Sequence, residues 1–343
     1  MQRQLDIFDD SRDVALRNDL AQALLDGDPL AARRIADTLQ AEFGADPVLA
    51  PAAALIEHQN WRQSLAADAP LDVRTVLDAC HRIDGAVAVA AIAVFGAQEA
   101  AGWLGLQWRL LAGQASGIGW HPAHAEAHAA ALYLRGQAWP LAAEAATRID
   151  SWRRIPVPLL WMTQARWRGD GADVAWPLLA EALWLAPARA ATLLPTLADA
   201  GLDRLVAHFE ERFDPHSASR ADWAWLPAFA LVDQPLLAGP LAAAAPPAGT
   251  APGEGFTVVM SLLGWSARGG TMTSSRTEPD CVHFRRRSLQ PTWPHAESEL
   301  ARLGLSLAVC FGANIVPPRR ASLWQNARSD PVRSGEQLAF CRS

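Results

Sequence analysis

The chain has 343 residues, 30 of them basic and 36 acidic, which gives a net charge of −6 at pH 7. A general nucleic-acid-binding protein needs a basic face, so this acidic balance argues against that class. Hydrophobic residues make up 50% of the chain, and alanine and leucine prevail over β-branched runs, which favours helices over sheets.

The compartment is predicted from the N-terminus, the longest apolar run and the cysteines. The first 13 residues are polar and acidic, without the basic-then-apolar order of a signal peptide. The longest apolar run, residues 85–97, is too short to span a bilayer and predicts a buried core helix. Four cysteines without a pairing pattern suit a reducing compartment. We therefore expect a cytoplasmic protein with no membrane partner.

All 30 basic residues are arginine, which suggests a GC-rich bacterial genome.

Helical periodicity begins near the N-terminus. It predicts a helix over Asp13–Asp26 that Gly27 closes, and Asp28 and Pro29 then provide the N-cap and the first-turn proline of a second helix. The second helix has one apolar stripe and ends at residues 44–47. Three more helices are predicted in this half of the chain, at residues 48–65, 71–82 and about 86–113.

A glycine-rich turn at residues 116–122 precedes the second half of the chain. Four helices form two predicted hairpins there, and two further helices follow them. The total is roughly ten or eleven helices of ordinary length. Those of the second half are predicted at residues 124–135, 140–152, 158–168, 177–185, 203–213 and 223–237.

One seven-residue motif occurs twice at a spacing of 37 residues, as WPLAAEA from Trp139 and as WPLLAEA from Trp176. Repetition at such a spacing is typical of stacked helical hairpins. The proline of each copy is predicted to occupy the first helical position, where its missing N–H costs nothing. The small residues after it let a second helix approach closely. We expect Trp139 and Trp176 to lie at equivalent places in successive hairpins and to be mostly buried.

The second copy continues as Ala175-x3-Leu179-x2-Ala182-x4-Pro187, which resembles the second helix of a tetratricopeptide repeat. Residues 27–32 resemble the turn and helix start of another repeat. The copy at residues 138–150 has an aspartate where the proline should be, and the family's Trp-x2-Leu-Gly-x2-Tyr pattern is missing from the first helices. The resemblance covers about half of the chain. It implies an α-solenoid, an array of antiparallel helix hairpins, whose concave surface binds a peptide or protein partner.

Histidines are densest in the segment His121-x2-His124-x3-His128. His124 and His128 are predicted to share one helix face, with the spacing that zinc-binding helices use. Glu126 stands two residues after His124 instead of directly after it, and no nearby cysteine or acidic run supplies further ligands. We predict no bound metal and no cofactor. The alternative is a metal-binding or metal-dependent helical protein that uses these three histidines.

Motifs of catalytic and nucleotide-binding sites are missing. Gly117 and Gly119 lack the third glycine and the preceding strand of a dinucleotide loop, and no nucleophile elbow occurs. Cys80 lies beside His81 within one predicted helix, which is not the spatial pairing that catalysis needs. Twelve of the 15 tryptophans precede residue 255. They could line an aromatic groove for a peptide or a ligand, but core packing is the favoured interpretation, with Trp61 and Trp108 left open. The sequence predicts a non-catalytic scaffold for a protein or peptide partner, or a helical accessory domain of a partner enzyme.

The composition changes sharply toward the C-terminus. We predict a helical-repeat domain over residues 1–237, an Ala/Pro/Gly linker over 238–255 and the start of a further helix over 256–264. Arginines number 19 against 30 acidic residues before residue 256, and 11 against 6 from there on. Three of the four cysteines and 11 of the 17 serines lie in that second part. A GC-rich gene read in a wrong frame gives such a composition. We therefore predict that residues 265–343 are an irregular tail translated out of frame, the alternative being a genuine disordered tail.

Overall fold

The computed structural model describes residues 11–65, 71–212 and 222–264, all within one compact unit. Every regular element of these residues is helical: fifteen α-helices, five short 3-10 helices and one π-helical turn. The predicted all-α class is thereby confirmed for the described part of the chain. In chain order the α-helices are α1 Arg12–Leu25, α2 Pro29–Phe43, α3 Leu49–Ser64, α4 Val73–Arg82, α5 Ala88–Phe95, α6 Ala97–Gln114, α7 Ala129–Arg135, α8 Trp139–Thr147, α9 Pro156–Asp170, α10 Ala172–Leu185, α11 Pro187–Leu193, α12 Ala200–Arg212, α13 Leu226–Asp233, α14 Ala238–Leu241 and α15 Ala251–Leu262.

Most of these helices pack against the helix that follows in the chain. The start of α2 shows how local chemistry sets the elements. The Asp28 carboxylate accepts the free backbone N–H groups of Leu30 and Ala31 at 3.0 and 2.9 Å, and Pro29 occupies the first turn. The helix begins at the residue that the sequence predicts and ends directly before the predicted stop at residues 44–47. Side chains then join neighbouring helices, as where Gln59 of α3 donates to the carbonyl oxygen of Leu24 at 2.6 Å.

The apolar helix predicted over about 86–113 is two helices in the structure. Gly96 separates α5 from α6 with a φ of +79°, a left-handed conformation that favours glycine. A π-helical turn, Ile83–Val87, precedes α5. The apolar run is also not buried on all sides, because Val89 and Ile92 are 71% and 52% exposed. No described helix has both the length and the hydropathy that a bilayer crossing requires.

The two copies of the seven-residue motif differ in helical position. Pro140 is the second residue of α8, one position after the predicted one, and Pro177 lies inside α10, because α10 already begins after Gly171 with its φ of +97°. Trp139 is accordingly the first residue of α8 and half-buried, whereas Trp176 is the fifth residue of α10 and 4% exposed. The helix start predicted for this motif is therefore one residue late in the first copy and five residues late in the second. Four positions of the repeat spacing are buried in both copies: 142 and 179, 143 and 180, 145 and 182, 146 and 183.

Residues 238–255, predicted as a linker, include α14 and the first turn of α15. Leu241 is fully buried, and the backbone N–H of Ala245 donates to the Glu181 carboxylate at 3.1 Å. The helix predicted from residue 256 begins at Ala251, since the Thr250 hydroxyl caps it by accepting from the N–H of Gly253. A Cβ at Gly253 would stand 2.3 Å from the carbonyl oxygen of Pro247, so the close turn needs glycine. The prediction of an out-of-frame tail, residues 265–343, concerns residues outside the described ones.

Candidate functional site

An open pocket of about 610 Å³ lies between the α6–α7 connection and helices α7 and α8. Its volume falls in the range of pockets that hold small molecules or the side chains of a peptide. We call it the α7–α8 pocket. Its principal side chains are apolar, aromatic or charged: Ile118, Leu141 and Ile149; Trp120 and Tyr133; Glu144, Arg148 and Asp150.

The backbone of the α6–α7 connection forms one side of the pocket. Beyond the end of α6, the N–H of Ile118 donates to the carbonyl oxygen of Ala115 at 2.9 Å, which turns the chain. Gly117 and Gly119 carry no side chains on either side of Ile118. A Cβ placed on Gly113 would stand 3.9 Å from the hydroxyl oxygen of Tyr133. This hydroxyl therefore lies beside the end of α6. The pocket is therefore formed by three consecutive segments of the chain, which are the end of α6 with its connection, α7, and α8 with the residues after it.

The aromatic wall of the pocket rests on a cluster of three rings. Trp120 meets Trp161 of α9 edge-on, with ring centroids 5.4 Å apart and an interplanar angle of 88°. His128 stacks on the same Trp161 at 5.5 Å and 13°, and its ring lies 6.4 Å from that of Trp120. Edge-to-face and stacked pairs at these distances are favourable. Trp120 is thus held in place at the pocket by packing.

The three candidate metal ligands do not share a helix face. Residues 122–127 form a 3-10 helix in which His124 has non-helical backbone angles, and α7 begins after His128. The helix predicted over 124–135 is therefore wrong in its first five residues. Pro122 favours the start of the short helix, and the imidazole Nδ1 of His128 accepts the N–H of Ala130 at 3.2 Å, which makes His128 an N-cap.

The histidine rings have separate surroundings. His121 and His124 are exposed and stack on each other at 5.5 Å, and the Nδ1 of His121 accepts the N–H of Ala123 at 3.2 Å. His128 is 6% exposed, and its burial lowers the pKa of the imidazole. Among the described residues, no three or more histidine, cysteine or acidic side chains are grouped to hold a metal ion. His128 therefore lines the pocket as a neutral imidazole ring.

Two carboxylates and one guanidinium give the pocket its charge. Arg148 pairs with Glu144 one helical turn earlier, and both side chains are more than half exposed, so the pair is weak. Asp150 follows α8 and has no ion pair within the described ranges. The glutamate at the equivalent repeat position, Glu181, is instead 8% exposed and pairs with Arg153. The same repeat position is thus accessible in α8 and buried in α10.

The other candidates from the sequence lie outside this pocket. Cys80 is buried in α4, which raises the pKa of its thiol to about 11, so the thiol stays protonated at neutral pH. Four tryptophans pack in the core with exposures of 4–6%, at positions 103, 108, 167 and 176. Trp61 is partly buried beneath the guanidinium of Arg82, at 5.0 Å from the ring centroid.

No family model, curated protein or solved structure matches this chain. The candidate site therefore rests on its own geometry.

Sequence reasoning missed most of the pocket. It singled out His128 and the tryptophans, but it gave no role to Tyr133, Leu141, Glu144 or Arg148. The sequence offers one signal, since Leu141 is a large apolar side chain directly before the alanines of α8; the structure leaves it 44% exposed.

Proposed function

We propose that this protein is a non-catalytic interaction module and that the α7–α8 pocket holds a segment of a partner protein. The observation that carries the proposal is the lining of the pocket, where an exposed apolar side chain, two aromatic rings and exposed charges meet around about 610 Å³. Peptide-binding grooves combine these same contacts, with apolar and aromatic anchors and a polar rim.

We further propose that α7 to α10 stack as two hairpins of a tetratricopeptide-like α-solenoid. Short turns connect α7 to α8 and α9 to α10, and each of these helices packs against the next one. The small residues of α8 support close stacking, since Ala142 and Ala146 are fully buried. Hairpins of this kind bury their apolar faces against their neighbours and leave a surface along the array for a partner.

Leu141 is the residue on which a partner would depend most. It lies at the pocket with 44% of its surface exposed, next to the buried Ala142 and Ala145. Burying a fully exposed leucine side chain contributes about 1.5–3 kcal/mol, so covering the 44% of Leu141 that is exposed contributes about 0.7–1.3 kcal/mol, roughly a three- to tenfold change in affinity. Replacing it with glutamate removes that contribution and adds a charge without touching the core.

A displayed library of random peptides selected on the purified full chain tests the proposal. We expect the enriched peptides to bind the unchanged protein and a Leu30→Glu control, since Leu30 lies in α2 outside the pocket and is 74% exposed. The Leu141→Glu variant should bind them at least about threefold more weakly. Failure to enrich any peptide, or equal binding by both variants, would contradict the proposal.

A further inference from the structure

The position of the α7–α8 pocket relative to the helix ends determines its electrostatics. The pocket includes Gly113, next to the last residue of α6, and residues 148–150, which directly follow α8. Two helices therefore end at the pocket. The last carbonyl groups of a helix carry a partial negative charge and lack intrahelical partners. No basic side chain lies in the last turn of α6, and the one at the end of α8, Arg148 directly after the helix, pairs with Glu144.

The helix start at the pocket offsets little of this negative charge. α7 begins there, but it is seven residues long, and the imidazole of His128 already accepts the N–H of Ala130. The carbonyl oxygen of His128 begins the hydrogen-bond ladder of α7 as well. An anionic ligand would thus find few free N–H donors at this end of the pocket.

The side-chain charges act in the same direction. Glu144 and Asp150 are acidic and Arg148 is basic, which gives the lining a net charge of −1. Arg148 pairs with Glu144, so the carboxylate of Asp150 remains without an ion pair in the described part of the chain. The carboxylate of Asp150 and the carbonyl ends of α6 and α8 would therefore all attract a positively charged ligand in this pocket.

The aromatic wall adds a surface that attracts cations. Trp120 and Tyr133 both line the pocket, and the face of such a ring carries a partial negative charge. This chain uses the contact elsewhere: Arg135 lies over Trp108 at 3.6 Å, and Arg168 lies over Trp139 at 5.4 Å. A guanidinium or ammonium group is therefore suited to this wall.

We propose that the α7–α8 pocket binds the cationic side chain of an arginine or lysine in the partner peptide. The charge lies between Asp150 and the rings of Trp120 and Tyr133, and the alkyl part of the side chain packs on Leu141 and Ile149. This inference rests on the proposed function, and it adds the chemistry of the bound segment. A free organic cation has the same chemistry as the side chain, and the test separates the two.

The test uses four probes on the full chain: methylguanidinium, and three capped tripeptides of the form Ala-X-Ala in which X is arginine, leucine or glutamate. Binding is measured from the NMR shift of the indole N–H of Trp120, assigned through a Trp120→Phe variant. We expect a saturable shift with the arginine tripeptide, a smaller effect of methylguanidinium, and weaker binding as sodium chloride rises from about 50 to about 300 mM. Equal affinities of methylguanidinium and the arginine tripeptide would overturn the assignment to a peptide side chain.

A matched pair of variants tests the role of the carboxylate. Asp150→Asn should weaken binding of the arginine tripeptide about two- to fivefold, the range of an exposed charge pair, whereas Asp173→Asn in the exposed first turn of α10 should leave it unchanged. Equal shifts with the leucine or glutamate tripeptide, or no effect of Asp150→Asn, would overturn the inference. If library peptides without arginine or lysine bind in a Leu141-dependent manner, the inference fails while the proposed function stands. If no peptide binds, both fail.

Discussion

The stability of this protein should fall in mild acid because of one buried histidine. His58 in α3 is 2% exposed, and its ring lies 5.8 Å from that of Trp61 and 6.0 Å from that of Trp103. Neither ring nitrogen has a hydrogen bond of normal geometry with a described residue, although the Gln107 amide lies close by. Burial of an imidazole without such partners disfavours its charged form.

The size of the effect follows from the pKa. Burial lowers the pKa of His58 from its ordinary 6.5 to about 4, the Gln107 amide partly offsets this shift, and the positive charges of Arg62 and Arg82 add to it. Between these two pH values the unfolded chain binds the proton and the folded one does not, so stability falls as the pH falls. The loss between pH 8 and pH 5 is about 2 kcal/mol. His128 contributes in the same direction, because burial lowers its pKa as well.

Urea denaturation at pH 8 and pH 5 measures this loss. We expect His58→Leu to remove about 2 kcal/mol of the difference between the two pH values. A control, His81→Leu, changes an exposed histidine of α4 and should retain the full difference. The carboxylates whose pKa values are lowered, such as that of Asp72, lose their stabilising contribution below the chosen range. An unchanged pH dependence in His58→Leu would refute the reasoning.

Three further predictions concern packing, metal and the reading frame. Ala180→Leu in the fully buried face of α10 should lower the free energy of unfolding by about 1–3 kcal/mol through overpacking. The control Val174→Leu, at a 55% exposed position of the same helix, should not lower it, and equal melting of the two variants would count against close packing at Ala180. Zinc measured by atomic absorption after dialysis should be far below one ion per chain; one ion per chain that is lost in a variant with His124→Ala and His128→Ala would overturn this. Truncation after Gly264 should leave the melting temperature unchanged, and the coding DNA, read from the third base of the Gly264 codon, should encode an amphipathic helix. An early stop codon in that frame would end the frame hypothesis.

Local signals in the sequence predict the helices well where one side chain sets the boundary. Asp28 and Pro29 define the start of α2, and the structure agrees with that start to the residue. The sequence does not predict the break between α5 and α6, because Gly96 is a single glycine near the end of an apolar run, without a proline or a polar cluster before it. Its left-handed φ becomes necessary only when both helices pack against each other. The helix start predicted at Pro177 is also wrong, because α10 begins directly after Gly171 and includes the proline.

The candidate site was less predictable than the fold. Trp120, Tyr133 and Leu141 come from a connection and two different helices, and periodicity within one element does not bring them together. The charge of the pocket also depends on where α6 and α8 end relative to each other, which is a property of packing. The spacing of the three histidines would place His124 and His128 on one face only in a continuous helix, and α7 begins after His128.

The central claim is that the α7–α8 pocket binds a partner segment, and photo-crosslinking inside the native cell tests it most directly. A photoreactive phenylalanine analogue replaces Leu141 in one variant and the exposed Leu30 of α2 in the other. We predict that the variant at position 141 crosslinks to one protein, through a peptide that contains arginine or lysine, and that the variant at position 30 does not. The absence of a product at position 141, or the same products at both positions, would contradict the claim.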